Sequence, residues 1–298
     1  MKRLGPVLAF LLIIVPLGMA DFQDILDRVD QLNEAEEYEQ TKSLIESSMA
    51  EAKSGAEKAE LHWRLARAWL NLGDEAEDSG AAEDALLAYF ESGEAEAQRA
   101  IEADPKNHLG YYWKSANIGR WGQVKGILNS LFKAKPMRDL LQQAVAVEPE
   151  HADSYYVLGQ LFEQVPGFPV SFGDKDYAVS LGRKSLDLHE QQVRAGIEDE
   201  INYDFYTEMA KHLWERNYSA AKRGREQARK MSKYESASEP MEKNFYYEAV
   251  VSLKDMSDRE EARELINWVI RELQGLTGRT DSQNDDLKEA REVLESWQ

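Results

Sequence analysis

Five histidines and 55 acidic residues are the groups in this 298-residue chain that could bind a metal or move a proton. His62, His108, His151, His189 and His212 lie far apart in sequence and share no metal-ligand spacing. His108 and His151 follow Pro105 and Pro149 by 3 and 2 residues, which places them in turns between repeating units. Carboxylate pairs suited to acid–base work are expected by chance at this acidic content, so their presence carries no signal. The sequence has no nucleophile elbow, phosphate-binding glycine loop, zinc-protease helix or calcium loop. Cysteine is absent, which removes disulfides, thiolate metal sites and thiol nucleophiles together. No catalytic residue, metal or cofactor is therefore expected, and the chain reads as a binder rather than an enzyme.

Two stretches could recognise something. Val124, Ile127, Leu128, Leu131 and Phe132 fall at offsets 0, 3, 4, 7 and 8, the pattern of a short amphipathic helix, flanked by Lys125, Lys133 and Lys135. Pro166 to Gly173 places Phe168, Val170 and Phe172 where a solvated loop would ordinarily be polar. Both could fold back to cover the core. Left exposed, they would form a lined cleft or a partner patch, with lysines suited to a carboxylate. With Trp113 and Trp121, the candidate ligand- or partner-binding set is Trp113, Trp121, Lys125, Leu128, Phe132, Phe168 and Phe172.

The elements that position these residues follow from composition and periodicity. The chain is 43% hydrophobic and 10% aromatic with 8 prolines, which favours a folded, helix-rich protein. A formal charge of −19 disfavours nucleic acid and anionic membranes, so no nucleic-acid partner is expected. Met1-Lys2-Arg3, the apolar run Leu4–Leu17 and Gly18-Met19-Ala20 have the form of a signal peptide cleaved after Ala20. A retained anchor is the alternative, and a periplasmic or secreted location is expected. The rest, 21–298, is expected to be one helical-repeat domain. It would start with an apolar stripe at Phe22, Ile25, Leu26, Val29 and Leu32, continue into a second helix over 37–53, and end in a capping helix over 287–297 after a polar linker.

Pro105 is followed at +6 and +7 by Tyr111-Tyr112, Pro149 by Tyr155-Tyr156 and Pro240 by Tyr246-Tyr247. His62-Trp63 and Phe205-Tyr206 repeat the pair without the proline, giving spacings of 49, 44, 50 and 41 residues. Small or apolar residues follow on one helical face, as in Tyr155, Leu158, Gly159 and Phe162, or Tyr246, Ala249, Val250 and Leu253. A second amphipathic stretch comes next, as in Ala178, Gly182 and Ser185, or Ala262, Ile266 and Val269. The aromatics Trp63, Tyr112, Tyr155, Tyr206 and Tyr247 are expected in the core, where burial of each contributes about 1.5–3 kcal/mol.

On these residues the chain resembles the tetratricopeptide repeat family. Tyr155, Leu158, Gly159 and Phe162 match its first helix, and Pro105 and Pro149 match its closing proline. The resemblance implies an all-α solenoid of helix-turn-helix units. These units exceed the family's usual length of about 34 residues, and the excess falls at 74–83, 122–136 and 166–174, between paired helices. Enlarged intra-repeat loops along one rim are therefore expected. The stretch His108–Leu188, with Tyr111-Tyr112-Trp113, Gly119-Arg120-Trp121-Gly122, Tyr155-Tyr156-Val157-Leu158-Gly159 and Gly173-Asp174-Lys175, also resembles the periplasmic helical-repeat (TatT-like) component of TRAP transporter systems and, more distantly, the repeat region of regulators of microtubule dynamics. The first resemblance implies a periplasmic accessory that contacts a transporter substrate-binding protein, with homo-oligomerisation. Members are often lipoproteins, whereas this chain has no cysteine.

The leading expectation is thus an exported scaffold that presents a concave surface and an insertion-bearing rim to an envelope protein. Two alternatives stay open. One is a carrier holding a small apolar or amphipathic ligand between the Phe168–Phe172 loop and the Val124–Phe132 helix; the other is an envelope hydrolase.

Overall fold

A computed structural model describes residues 22–198 and 200–298, so the expected signal peptide lies outside the described residues. Thirteen α-helices and no strands occur among them: α1 (Phe22–Glu34), α2 (Tyr38–Ser48), α3 (Gly55–Asp78), α4 (Glu83–Ala103), α5 (His108–Lys125), α6 (Ile127–Val147), α7 (Ala152–Gln164), α8 (Lys175–Ala195), α9 (Asp204–Arg216), α10 (Ala220–Ser236), α11 (Pro240–Asn244), α12 (Asp258–Gly275) and α13 (Asp281–Ser296). The fold is an all-α helical-repeat solenoid. Antiparallel pairs α1–α2, α3–α4, α5–α6 and α7–α8 follow in series, each packed on the next.

The proline–aromatic spacing has a physical cause in two units. Tyr155 donates its hydroxyl proton to the Pro149 carbonyl at 3.0 Å, and Tyr111 donates to the Pro105 carbonyl at 3.2 Å. Each bond ties the second turn of a first helix to the turn that precedes it. Tyr155 is also fully buried among Leu158, Phe162 and Leu141. Trp63 and Tyr206 are buried as well, whereas Tyr112 and Tyr247 are half-buried.

The third proline does not begin a repeat. Pro240 opens the short α11, and Tyr246 is followed by a 3-10 turn, Tyr247–Val250, in place of the expected helix. The Tyr246 hydroxyl meets Tyr177 at 3.2 Å instead of the proline carbonyl. The second helix of the α9 unit is α12, which packs along α9, so Ala262, Ile266 and Val269 face the core as expected but belong to a different unit. Residues 217–257 are an insertion between α9 and α12. Its α11 touches α6 and α8, and its 3-10 turn packs on α8 and α10.

The excess length occupies the expected places in the units but takes a different form. In the α3–α4 unit it lengthens the helices, leaving a turn over 79–82. Residues 122–136 are helical on both sides of Gly126, whose φ of 81° is easiest for glycine. Val124 thus ends α5 while Leu128 and Phe132 start α6, and the expected single short helix is two helix ends. The third excess, 166–174, remains a loop. A Cβ on Gly173 would lie 1.9 Å from the Val165 carbonyl oxygen, so glycine is required there. The last helix begins six residues before the expected Leu287, because Thr280 and Gln283 form a capping box within the supposed linker.

A buried, charge-balanced network fixes the insertion. Arg183, Arg216, Arg223 and Lys230 meet Asp176, Glu248, Asp258 and Glu261. Arg216 binds Glu248 at 2.5 and 2.9 Å and Asp258 at 2.8 Å through two nitrogens. Lys230 of α10 reaches Glu248 at 2.7 Å and Asp176 at 2.9 Å, and it is 1% exposed. Burial alone would raise the Glu248 carboxyl pKa, but the charges of Arg216, Lys230 and Arg183 hold it well below the usual range. The same opposition lowers Asp176, through Lys230, and Glu261, through Arg183 and Arg223.

Removing one member strands its partners as buried charges, whereas exchanging a whole pair for apolar groups is far cheaper. Glu248→Gln is therefore predicted to cost about 3–5 kcal/mol in urea unfolding. The double change Glu248→Gln/Lys230→Met should recover a measurable part of that loss. Equal losses for the single and double variants would show that the pair is not coupled.

Candidate partner-binding corner

The turn between α5 and α6 brings several of the expected residues together. Leu128 and Phe132, one turn apart on α6, are 79% and 69% exposed. The Phe132 ring meets the edge of Trp121 with centroids 6.1 Å apart, and the Lys133 ammonium lies over Trp121 at 4.3 Å. The Trp121 indole N–H donates to Glu91 of α4 at 3.0 Å. These contacts place two apolar side chains, an aromatic ring and a cation on one helix corner.

The corner is braced against its neighbour. Arg120 pairs with Asp74 at 2.7 Å and Glu77 at 2.5 Å, and Lys125 pairs with Glu83 at 2.6 Å. These bonds link the α3–α4 and α5–α6 turns, two of the three enlarged stretches expected along one rim. Lys133 and Lys135 are also engaged, with Glu94 at 2.8 Å and Asp139 at 2.6 Å. The flanking lysines thus neutralise the protein's own acids, and the expected free carboxylate-binding charge is absent among them.

Other candidate residues are placed differently. Trp113 packs half-buried beside Trp63, Ala59 and Ala100, with its ring against Tyr112, and so belongs to the core between units. Phe172 meets Phe162 at 5.3 Å beneath the Arg138 guanidinium, while Phe168 is 94% exposed. Phe168 and Phe172 therefore do not close a cleft with the start of α6. The nearest cavity lies deeper, among Ile118, Leu131, Ala134, Met137, Val157 and Leu161, and measures about 80 Å³. Ligand pockets commonly span about 300–1,000 Å³.

The histidines, far apart in sequence, are partly gathered by the fold. His108 starts α5 and His151 caps α7, so both occupy inter-unit turns, and their rings meet edge-on at 4.7 Å. His151 also bonds Ser154 at 2.8 Å. Burial, together with the neighbouring His108 charge, drives its pKa down to about 4.

His212 is more deeply set, with its ring between Gly159 and Gly182, where a Cβ on either would come within 2.8 Å. Its Nδ1 lies 2.7 Å from Glu163 and 3.8 Å from Glu208, the only group among the described residues with the makeup of a metal-ligand set. Burial lowers the His212 pKa, but the Glu163 bond and the Glu208 charge outweigh it and the net shift is upward. Lys211 adds an ammonium 3.3 Å from Glu208 and pairs more closely with Glu289, at 2.5 Å.

The periodicity gave no sign of an open cleft of about 1,050 Å³ between α8, α9 and α12. Tyr206 and Trp268, with centroids 4.4 Å apart, form part of its wall beside Arg263 and Arg271.

Comparison with known proteins adds a relation over the first part of the chain. Residues 25–166 match the family of regulator of microtubule dynamics proteins 1-3. The bovine regulator of microtubule dynamics protein 1 is 27% identical over 139 residues, covering 47% of this chain and 41% of that protein. The bovine protein 3 is 23% identical over 172 residues, covering 57% and 34%. The chain thus spans less than half the length of these relatives. The family match runs from α1 past the end of α7 and stops before the insertion. Among solved structures, a thermophilic TPR protein of Thermus thermophilus is similar with a TM-score of 0.49 and 16% identity, covering 77% of this chain and 99% of that one. A MamA double mutant has a TM-score of 0.40, with 15% identity and coverage of 65% and 85%.

The depressed His151 pKa has a defined sign. Between the unfolded histidine value of about 6.5 and the folded value of about 4, the unfolded chain binds the extra proton, so stability falls as pH falls. The contribution lost across that window is about 3 kcal/mol. His151→Asn should flatten urea-measured stability between pH 6.5 and 4.5 relative to the parent chain. Parallel pH profiles would contradict the assignment.

Proposed function

We propose that this chain is a non-catalytic helical-repeat scaffold that binds a partner polypeptide at the α5–α6 corner. The observation that carries the reading is the exposure of Leu128 and Phe132 beside Trp121, on a helix corner linked by ion pairs to the preceding unit. Exposed apolar anchors on a preorganised frame are the usual core of a protein-binding patch. The similarity to regulators of microtubule dynamics covers this corner and supports a helical-repeat scaffold.

The finer reading, a periplasmic accessory that contacts a transporter's substrate-binding protein, rests on the His108–Leu188 motifs and on residues 1–20. Export remains part of the proposal on that basis. No helix among the described residues is long and apolar enough to cross a membrane. A scaffold is favoured over a carrier because the cavity beneath the corner, about 80 Å³, is small for an amphipathic ligand.

The test places a photoreactive phenylalanine analogue at position 132 in cells, with a second probe at the remote, exposed Glu292 as control. A discrete polypeptide adduct is expected at position 132 alone, and Leu128→Asp should reduce its yield at least tenfold. The aspartate change should leave stability within about 0.5 kcal/mol, since it alters an exposed side chain. The same adducts from both probes, or none from position 132, would overturn the reading.

A further inference from the structure

The insertion carries a second surface of opposite character. In a chain with 55 acidic and 36 basic residues, α10 has six lysines and arginines against two glutamates. Two of the six, Arg223 and Lys230, turn inward to the buried network. The other four, Lys222, Arg225, Arg229 and Lys233, are spaced by 3, 4 and 4 residues. At 3.6 residues per turn, that spacing confines them to an arc of about 80°, roughly 100° from the buried pair. They form a continuous ridge about 16 Å long, given a rise of 1.5 Å per residue.

The charge on this ridge is left largely uncancelled. Arg225, Arg229 and Lys233 are exposed, and Arg225 has no ion-pair partner among the described residues. Arg229 pairs with Glu226 of its own helix. Lys222 and Lys233 lie over the rings of Tyr218 and Tyr246 at 3.6 and 5.0 Å, contacts that orient an ammonium without neutralising it. Exposed Gly224, Ala228 and Ser232 follow one another along the flank of the ridge, leaving it unobstructed. The helix beneath is held by Arg223, Lys230 and Gln227, whose amide donates to the Val251 carbonyl at 2.7 Å.

We propose that the outward face of α10 is a docking ridge for an acidic polypeptide segment. Charge complementarity selects an anion, and the chain's total charge of −19 selects its size. A nucleic-acid duplex or an anionic bilayer is far wider than one helix face and would press its charges against the acidic remainder. An extended acidic segment of about five residues matches the ridge at roughly 3.3 Å per residue. The buried network preorganises the helix, which lowers the ordering cost of docking. This surface is separate from the α5–α6 corner, so neither reading depends on the other.

Fluorescein-labelled hexaglutamate is the probe, followed by anisotropy at 50 and 200 mM salt with the whole chain. Binding is expected at low salt, weakened at least tenfold by Arg225→Glu/Arg229→Glu and by the higher salt. Arg225→Lys/Arg229→Lys should retain it, and Leu128→Asp/Phe132→Asp should leave it unchanged, which separates this surface from the corner. Circular dichroism should be the same for all variants. No binding by the parent chain, or equal binding by the charge-reversed variant, overturns the proposal. So does tighter binding to phosphatidylserine vesicles or duplex DNA than to hexaglutamate. In sedimentation at 50 mM salt, dissociation of a self-assembled species by the charge reversal would assign the ridge to a second copy, and would equally overturn it.

Discussion

Four cations and four carboxylates lie together beneath the insertion, and each would be costly to bury alone. Their balance is what permits residues 217–257 to cross the solenoid without leaving a stranded charge. The members come from α8, α9, α10, α12 and the 3-10 turn, so no two elements satisfy one another alone. Such a set adds less net stability than an apolar core of equal volume, but it penalises every misplacement of the insertion. Its geometry therefore specifies one arrangement of the α9–α12 unit. The exposed face of α10 inherits its orientation from that arrangement.

The repeat was legible in the sequence wherever a local physical cause wrote it there. The Tyr111 and Tyr155 hydroxyls bond carbonyls six residues back, so the proline–tyrosine spacing reports real geometry in those units. Small residues at Gly159 and Gly182 let His212 fit between α7 and α8, which is why a glycine recurs on those faces. Pro240 and Tyr246 show the same spacing with none of the bonding, because the surrounding segment is held by distant charges instead. A pairing between α9 and α12 across some forty residues leaves no local trace. The lengthened helices escape a local reading for a related reason. Glycines and a proline at 122–136 suggest a loop, yet packing against α5 and α7 keeps Pro136 inside a helix.

The corner was partly visible and the rest was not. Leu128 and Phe132 were marked by the spacing of an amphipathic helix, and with Trp121 they reach the α5–α6 turn. Phe172 was marked as an apolar group in a loop that would ordinarily be polar, but it is used for packing, as is Trp113, and composition cannot distinguish packing from recognition. The basic ridge was hidden by the overall charge of −19, because a sum over the chain erases a local excess confined to one helix. The buried network was equally invisible, since its members are separated by up to 85 residues and read singly as solvated charges.

Native-state hydrogen exchange of α10 against α12 is the most direct test that the charge network makes the insertion part of the folded unit. If it does, the protected amides of both helices should open with the same free energy and respond equally to urea. Exchange of α10 through a smaller opening, while α12 stays protected to the global limit, would mean that the insertion is a loosely attached appendage and that the network does not fix it.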